Sequence, residues 1–152
     1  MSTYQLKKSQ ADLTDFFAAV FSQQYKDVFG RQNSQEKAEA FLLSIEEEGQ
    51  ILAALSYQLL YQTIKISDLA VLPSHQKQGL GTWLLKALKA EAEKHQVLNL
   101  ILTTRSYQAK DFYLKQGFAV FGMLKDVPFA SVDTYYMVYH CQKDEVKTQN
   151  ES

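Results

Sequence analysis

Between Pro73 and Thr82 the chain reads Pro-Ser-His-Gln-Lys-Gln-Gly-Leu-Gly-Thr, a polar turn with two glycines that runs straight into a strongly helical stretch. The first amides of a helix have no internal acceptor, and the aligned peptide dipoles put partial positive charge there. A turn of N–H groups at that point is an anion site. Gly79 and Gly81 carry no Cβ to obstruct a phosphate, and Lys77 adds a mobile cation. The chemistry these types and spacings suit is a phosphate or pyrophosphate cradle over Gln76, Lys77, Gln78, Gly79, Leu80, Gly81 and Thr82. A purely structural reading stands beside it, because glycine is common at helix starts. Two better-known phosphate loops do not fit: the third glycine of the dinucleotide fingerprint is missing, and no Gly-Lys-Ser/Thr occurs.

Other chemistries find less support. His75, His95 and His140 are scattered without ligand spacing, so no metal site is expected. Cys141 is the only cysteine, which excludes an internal disulfide and a cysteine-based zinc site and suits a reducing compartment. No Gly-x-Ser-x-Gly elbow is present. The formal net charge of -1 argues against nucleic acid as a partner. No apolar run reaches the roughly 20 residues of a spanning helix, and no leader is visible, so the expectation is a cytoplasmic protein with no membrane partner.

The elements that must position the turn can be read from periodicity. The 152 residues suit one domain, expected over 3–142, with a polar tail at 143–152. Tyr4–Lys7 is a plausible first strand. Ser9 is a candidate cap for a helix whose apolar residues Leu13, Phe16, Phe17, Val20 and Phe21 recur every three or four positions. A shorter helix is expected from Asn33 or Ser34. Phe41–Ile45 and Ile51–Tyr57, split by Glu46–Gln50, read as an antiparallel hairpin. From Thr63, Ile64 and Ile66 alternate with Lys65 and Ser67, but after Asp68 the residues Leu69, Ala70, Val71 and Leu72 are all apolar. Either the strand passes from edge to doubly covered core, or a β-bulge near Ser67–Ala70 shifts its phase.

Gly79–His95 is the clearest helix, with Leu80, Leu84 and Leu88 on one side. Val97–Leu102 suits a buried strand, Tyr107–Gln116 a helix that Ser106 caps and Gly117 ends, and Phe118–Leu124 and Val132–His140 two last strands. The order β-α-α-β-β-β-α-β-α-β-β describes an α+β, or mixed α/β, sheet with helices on both faces. Trp83 is expected in the core, Tyr25 and Phe29 are candidates to line an acceptor pocket, and the aromatic run Tyr135–Tyr139 could support a homodimer.

The succession Leu69-Ala70-Val71, Gln76-x-x-Gly79-x-Gly81 and Ala109-x-x-Phe112-Tyr113-x-x-x-Gly117-Phe118 resembles the GNAT superfamily of acetyl-CoA-dependent N-acetyltransferases. The resemblance is strongest from Ile66 to Phe118, and the element order extends it over about residues 3–142. It implies a central, mostly antiparallel sheet and acetyl-CoA as acyl donor, without a metal. It implies that the amides from Gln76 to Thr82 hold the CoA pyrophosphate, that Leu69, Ala70 and Val71 offer backbone groups to the pantetheine arm, and that Tyr113 sits near the thioester sulfur. One departure stands out: where many members carry an asparagine after the strand that follows the long helix, this chain reads Thr103-Thr104-Arg105-Ser106. Arg105 is a candidate to reach a phosphate instead.

The reaction so implied is direct attack of a primary amine, of a small molecule or a peptide, on the thioester carbonyl through a tetrahedral intermediate. Backbone N–H groups around Val71 would stabilise the oxyanion, and Tyr113 would protonate the departing sulfur. Asp68, beside the suspected bulge, is the candidate base. Two other readings remain: a non-catalytic acyl-CoA-binding module or sensor on the same fold, and an unrelated nucleotide-phosphate binder.

Overall fold

The computed structural model describes residues 3–31 and 38–141. The helix expected from Asn33 or Ser34 and the polar tail lie outside the described residues. The chain divides into two compact units, Met1–Glu36 and Lys37–Ser152.

The first unit is built on helix α1, Thr14–Phe29. Tyr4–Lys7, expected as a strand, is irregular. Asp12, not Ser9, serves the helix start: its Oδ1 accepts the Thr14 N–H at 2.9 Å and the Thr14 hydroxyl as well. Those bonds favour the charged carboxylate and hold the Asp12 carboxyl below its ordinary range. Gly30, at φ 68°, closes the helix by returning its N–H to Lys26 O. On α1 the Tyr25 and Phe29 rings lie 4.6 Å apart.

The second unit is a six-stranded sheet. Its strands are β1 (Glu39–Glu47), β2 (Gln50–Leu60), β3 (Thr63–Val71), β4 (Asn99–Arg105), β5 (Ala119–Leu124) and β6 (Thr134–His140). They lie side by side in the order β1-β2-β3-β4-β6-β5. Helix α2 (Leu80–Lys94) joins β3 to β4, and α3 (Lys110–Lys115) joins β4 to β5. All neighbouring strands are antiparallel except β3 and β4, which are parallel because a helical crossover connects them. The core is the α2 stripe Leu84, Leu85, Leu88 and Ala92 laid on Leu55, Ile64, Leu100 and Met137 of the sheet, all buried. Each fully buried leucine contributes about 1.5–3 kcal/mol of transfer free energy. The β6 tyrosines are used inside this unit: Tyr135 lies under the Lys110 ammonium at 4.5 Å and Tyr139 under that of Lys89 at 4.3 Å.

Two irregularities in β3 open the sheet next to the glycine turn. Ser56 of β2 pairs with Asp68 and Tyr57 pairs with Ile66, so Ser67 is an extra residue. This is a β-bulge, and it shifts the phase: inward positions are Ile64 and Ile66 before it, and Leu69 and Val71 after it. The all-apolar run thus reflects a register change. Second, β3 and β4 pair only at Thr63–Lys65 with Asn99–Ile101. Beyond Lys65 the two strands part, and the edge of β3 that faces β4 carries no ladder among the described residues.

Candidate active site

The strand opening leads into the turn. A single 3-10 turn at Pro73–His75 reverses the chain, fixed by the His75 N–H to Leu72 O bond of 2.9 Å. The Gln76 side chain donates to Val71 O at 3.2 Å and ties the turn back to β3. Lys77 at φ 64° and Gly79 at φ 81° take left-handed conformations that turn the backbone into α2. No side chain caps α2, and its first internal bond is Trp83 N–H to Gly79 O. Among the described residues, the amides of Leu80, Gly81 and Thr82 therefore have no protein acceptor. They are donors at the positive end of a helix dipole.

These donors open on a cleft of about 890 Å³ between the end of β3 and α3. Leu69, Ala70, Val71, Gln76, Lys77, Gly79, Leu80, Gly81 and Thr82 all line it, and Gln78 does not. Lys77, Lys115 and His75 are its basic side chains, and no carboxylate faces it. The lining suits a long anionic molecule with an apolar or amide-bearing arm. Gly81 has a use that its sequence context did not reveal. A Cβ there would come within 3.1 Å of Phe112 Cζ, so the missing side chain lets the α3 aromatic ring close against α2.

Tyr113 and Asp68, the catalytic candidates of the sequence, are not among the residues that line this cleft, although each is the chain neighbour of one that does, Phe112 and Leu69. Tyr113 is 7% exposed and lies between the rings of Phe112 and Phe118, with centroids at 5.3 and 5.5 Å. Burial, and next the negative charge of Asp68, push its phenol above the ordinary value. Asp68 is exposed, and its Oδ2 accepts the Ser56 hydroxyl at 3.1 Å across the register shift.

The loop after β4 is arranged differently from the expectation. Ser106 does not cap α3: its Oγ accepts the Asp133 N–H at 3.1 Å and its N–H donates to Asp133 O at 2.8 Å. It thus staples the loop to the β5–β6 connection, and α3 begins only at Lys110, later than Tyr107. The Arg105 guanidinium donates to the Tyr107 hydroxyl at 3.0 Å, and Tyr107 is the residue of that pair that lines the cleft. Trp83, expected in the core, is 61% exposed: it stands at the margin of the buried α2 stripe, where it lines a shallow pocket with Leu84, Ala87 and residues of β1. Tyr107, Gln108 and Lys115 line the cleft without belonging to any motif in the sequence. Lys115 alone had a local signal, since it follows Phe112 by three positions and so shares its helix face. No group of three or more His, Cys, Asp or Glu among the described residues could hold a metal, and no described helix is long and apolar enough to cross a membrane.

The sequence model of the acetyltransferase (GNAT) family matches residues 8–118. No curated protein sequence matches the chain. Among solved structures, the fold is similar to an acetyltransferase from Bacillus cereus, at 20% identity and TM-score 0.75, over 90% of this chain and 97% of that one. It is similar to the ribosomal-protein-S18-alanine N-acetyltransferase from Escherichia coli at 24% identity and TM-score 0.62, over 88% and 92% of the two chains. An aminoglycoside 6'-N-acetyltransferase complexed with coenzyme A gives 13% identity and TM-score 0.62, over 88% and 96%. At these identities the likeness is one of fold.

Proposed function

Since the chain belongs to the acetyltransferase (GNAT) family and is an acyltransferase, we propose that it transfers acetyl from acetyl-CoA to a primary amine of a small molecule or peptide. The observation that carries this reading is the row of uncapped amides at Leu80, Gly81 and Thr82 opening on a cleft whose other wall is the unpaired edge of β3. Those amides, with Lys77, suit a diphosphate. The β3 edge at Leu69–Val71 suits the secondary amides of a pantetheine arm, which pair with main-chain groups as an added strand would.

Bound coenzyme A supplies the acetyl group as an activated thioester. The rest falls to the chain. Main-chain N–H groups after the Ser67 bulge donate to the carbonyl oxygen as negative charge grows on it. Asp68 takes the proton that the amine loses on forming its new C–N bond, directly or through water. Tyr113 gives its proton to the sulfur as the C–S bond breaks, so the thiol leaves neutral. Its raised phenol pKa keeps that proton in place at neutral pH. The lone cysteine of the sequence suits a reducing, cytoplasmic site of action.

Two measurements test the reading. Calorimetry should show binding of CoA and acetyl-CoA in preference to ATP. A panel of primary amines, followed by release of free thiol, should identify at least one acceptor. Binding of CoA with no thiol release from any amine would instead favour a non-catalytic sensor, and a preference for ATP would end the coenzyme reading.

A further inference from the structure

The extra residue in β3 decides what stands opposite Ser56. Tyr57 pairs with Ile66, so an unbroken ladder would set Ser67 across from Ser56. The bulge puts Asp68 there instead. Residues directly opposed on neighbouring antiparallel strands share a face of the sheet and lie close enough for their side chains to meet. Ser56 Oγ donates to Asp68 Oδ2 at 3.1 Å. Among the described residues, the Asp68 carboxylate has no other hydrogen bond and no ion pair.

Asp68 is exposed, and an exposed strand carboxylate samples several rotamers unless a partner selects one. Leu69, the next residue, lines the cleft, and successive side chains of a strand take opposite faces, so Asp68 belongs to the other face. There the half-buried Ser56 engages one carboxylate oxygen and leaves the second to accept a proton. The strand itself does not need this hydroxyl: Ala54, two residues earlier on the same face of β2, stands across from Ala70 with methyl groups alone. The charge that Ser56 holds in place is also felt at Tyr113, whose phenol is raised by burial and next by Asp68.

Resting on the reading of Asp68 as the base, we propose that Ser56 is a positioning residue for deprotonation of the amine, its hydroxyl fixing Asp68 Oδ2 so that Oδ1 is presented to the amine. The proton passes from the amine nitrogen to that free oxygen as the C–N bond forms, and Ser56 keeps its own proton throughout. It acts through Asp68 alone. A hydrogen bond to a carboxylate is stronger than one between neutral groups, and an exposed one is worth a modest factor. Removing the hydroxyl should therefore lower kcat/KM for the amine about threefold to tenfold. CoA affinity should not move, because Ser56 is neither in the glycine turn nor among the residues that line the cleft.

The test is a double-mutant cycle read by thiol release from acetyl-CoA. The acceptor is whichever of n-butylamine, glycinamide and an alanyl dipeptide the wild type uses fastest. The proteins are the wild type, Ser56→Ala, Ser56→Thr, Asp68→Asn and the double variant Ser56→Ala/Asp68→Asn. The expected result is that Ser56→Ala loses kcat/KM for the amine, with the KM for acetyl-CoA, the CoA dissociation constant and the melting temperature unchanged. Ser56→Thr, which keeps a hydroxyl, should recover most of the loss. In the Asp68→Asn background, where no base is left to position, Ser56→Ala should have no further effect. Wild-type kinetics in Ser56→Ala overturn the assignment, and so does a Thr variant no better than the Ala one. An Ala penalty of the same size with and without the Asp68 carboxylate also overturns it, because the serine would then act on the fold and not on the base. An Asp68→Asn variant as fast as the wild type instead removes the base reading itself, as does a wild type that acetylates none of the three amines, and the role of Ser56 falls with it.

Discussion

At the scale of single residues, the buried phenol of Tyr113 lies within electrostatic reach of the exposed carboxylate of Asp68. Tyr113 is pushed up by burial first and by Asp68 second, so its proton stays on through the neutral range. Tyr113→Phe removes that proton while leaving the ring between Phe112 and Phe118. The expected outcome is a fall in kcat of about 10²–10⁴-fold, with the CoA dissociation constant unchanged by calorimetry; an unaltered kcat would take the acid role from this residue. Asp68→Asn should lower kcat/KM for the amine at neutral pH by about tenfold or more. It should have a second effect of opposite character. Loss of the neighbouring negative charge makes the phenol easier to ionise, so any alkaline fall of the rate profile attributable to Tyr113 should begin at lower pH than in the wild type. A profile whose alkaline limb stays where it was would show that the two groups do not communicate during turnover.

At the scale of elements, two glycines two residues apart serve different ends. Gly79 needs its left-handed backbone, and nothing lies within 4 Å of a Cβ built there. Gly79→Ala should therefore cost stability through strain alone, about 1–2 kcal/mol, seen as a lower urea midpoint. Gly81→Ala faces the Phe112 ring at 3.1 Å, while the helix itself gains up to about 1 kcal/mol from alanine. Its stability should change little. Its CoA affinity should fall, because the Phe112 ring that lines the cleft must shift by a few tenths of an ångström, and Gly81→Trp should abolish binding in a folded protein. Equal affinity for CoA in wild type and Gly81→Trp would remove the turn from the site. The turn, the long helix and the break of phase after Asp68 are legible in the sequence, because local periodicity and backbone chemistry determine them. Two causes were open for that break, and the pairing of Ser56 with Asp68 resolves it as a bulge. What local pattern does not encode is partnership across the chain. The Ser106–Asp133 staple, the Gln116–Thr82 bond and the contact of Gly81 with Phe112 join residues 27, 34 and about 30 positions apart, so neither the late start of α3 nor the closure of α3 on α2 could be read from windows of sequence.

At the scale of the molecule, the same core that anchors α2 also holds ionisable groups away from water, and this gives the Lys37–Ser152 unit a signature in its pH dependence. Burial pushes up the phenol of Tyr57, aided by Glu91, and that of Tyr113, aided by Asp68; it also pushes up the Cys141 thiol, against a smaller opposing effect of Lys89. Each of these groups is neutral when protonated, and each folded-state pKa lies above its unfolded one. Below the unfolded values, about 8.5 for a thiol and 10 for a phenol, both states carry the same protons and the groups leave stability unaffected. Above them the unfolded chain loses protons that the folded one retains. The unfolded state then binds fewer protons, and stability must fall as pH rises. The urea midpoint should be level from pH 7 to 8, decline from about pH 9, and steepen above about pH 10. The double variant Tyr57→Phe/Tyr113→Phe should lose the steep part and Cys141→Ala the shallow one. A double variant that declines as steeply as the wild type above pH 10 would mean that the buried phenols are not the groups whose ionisation opens the fold.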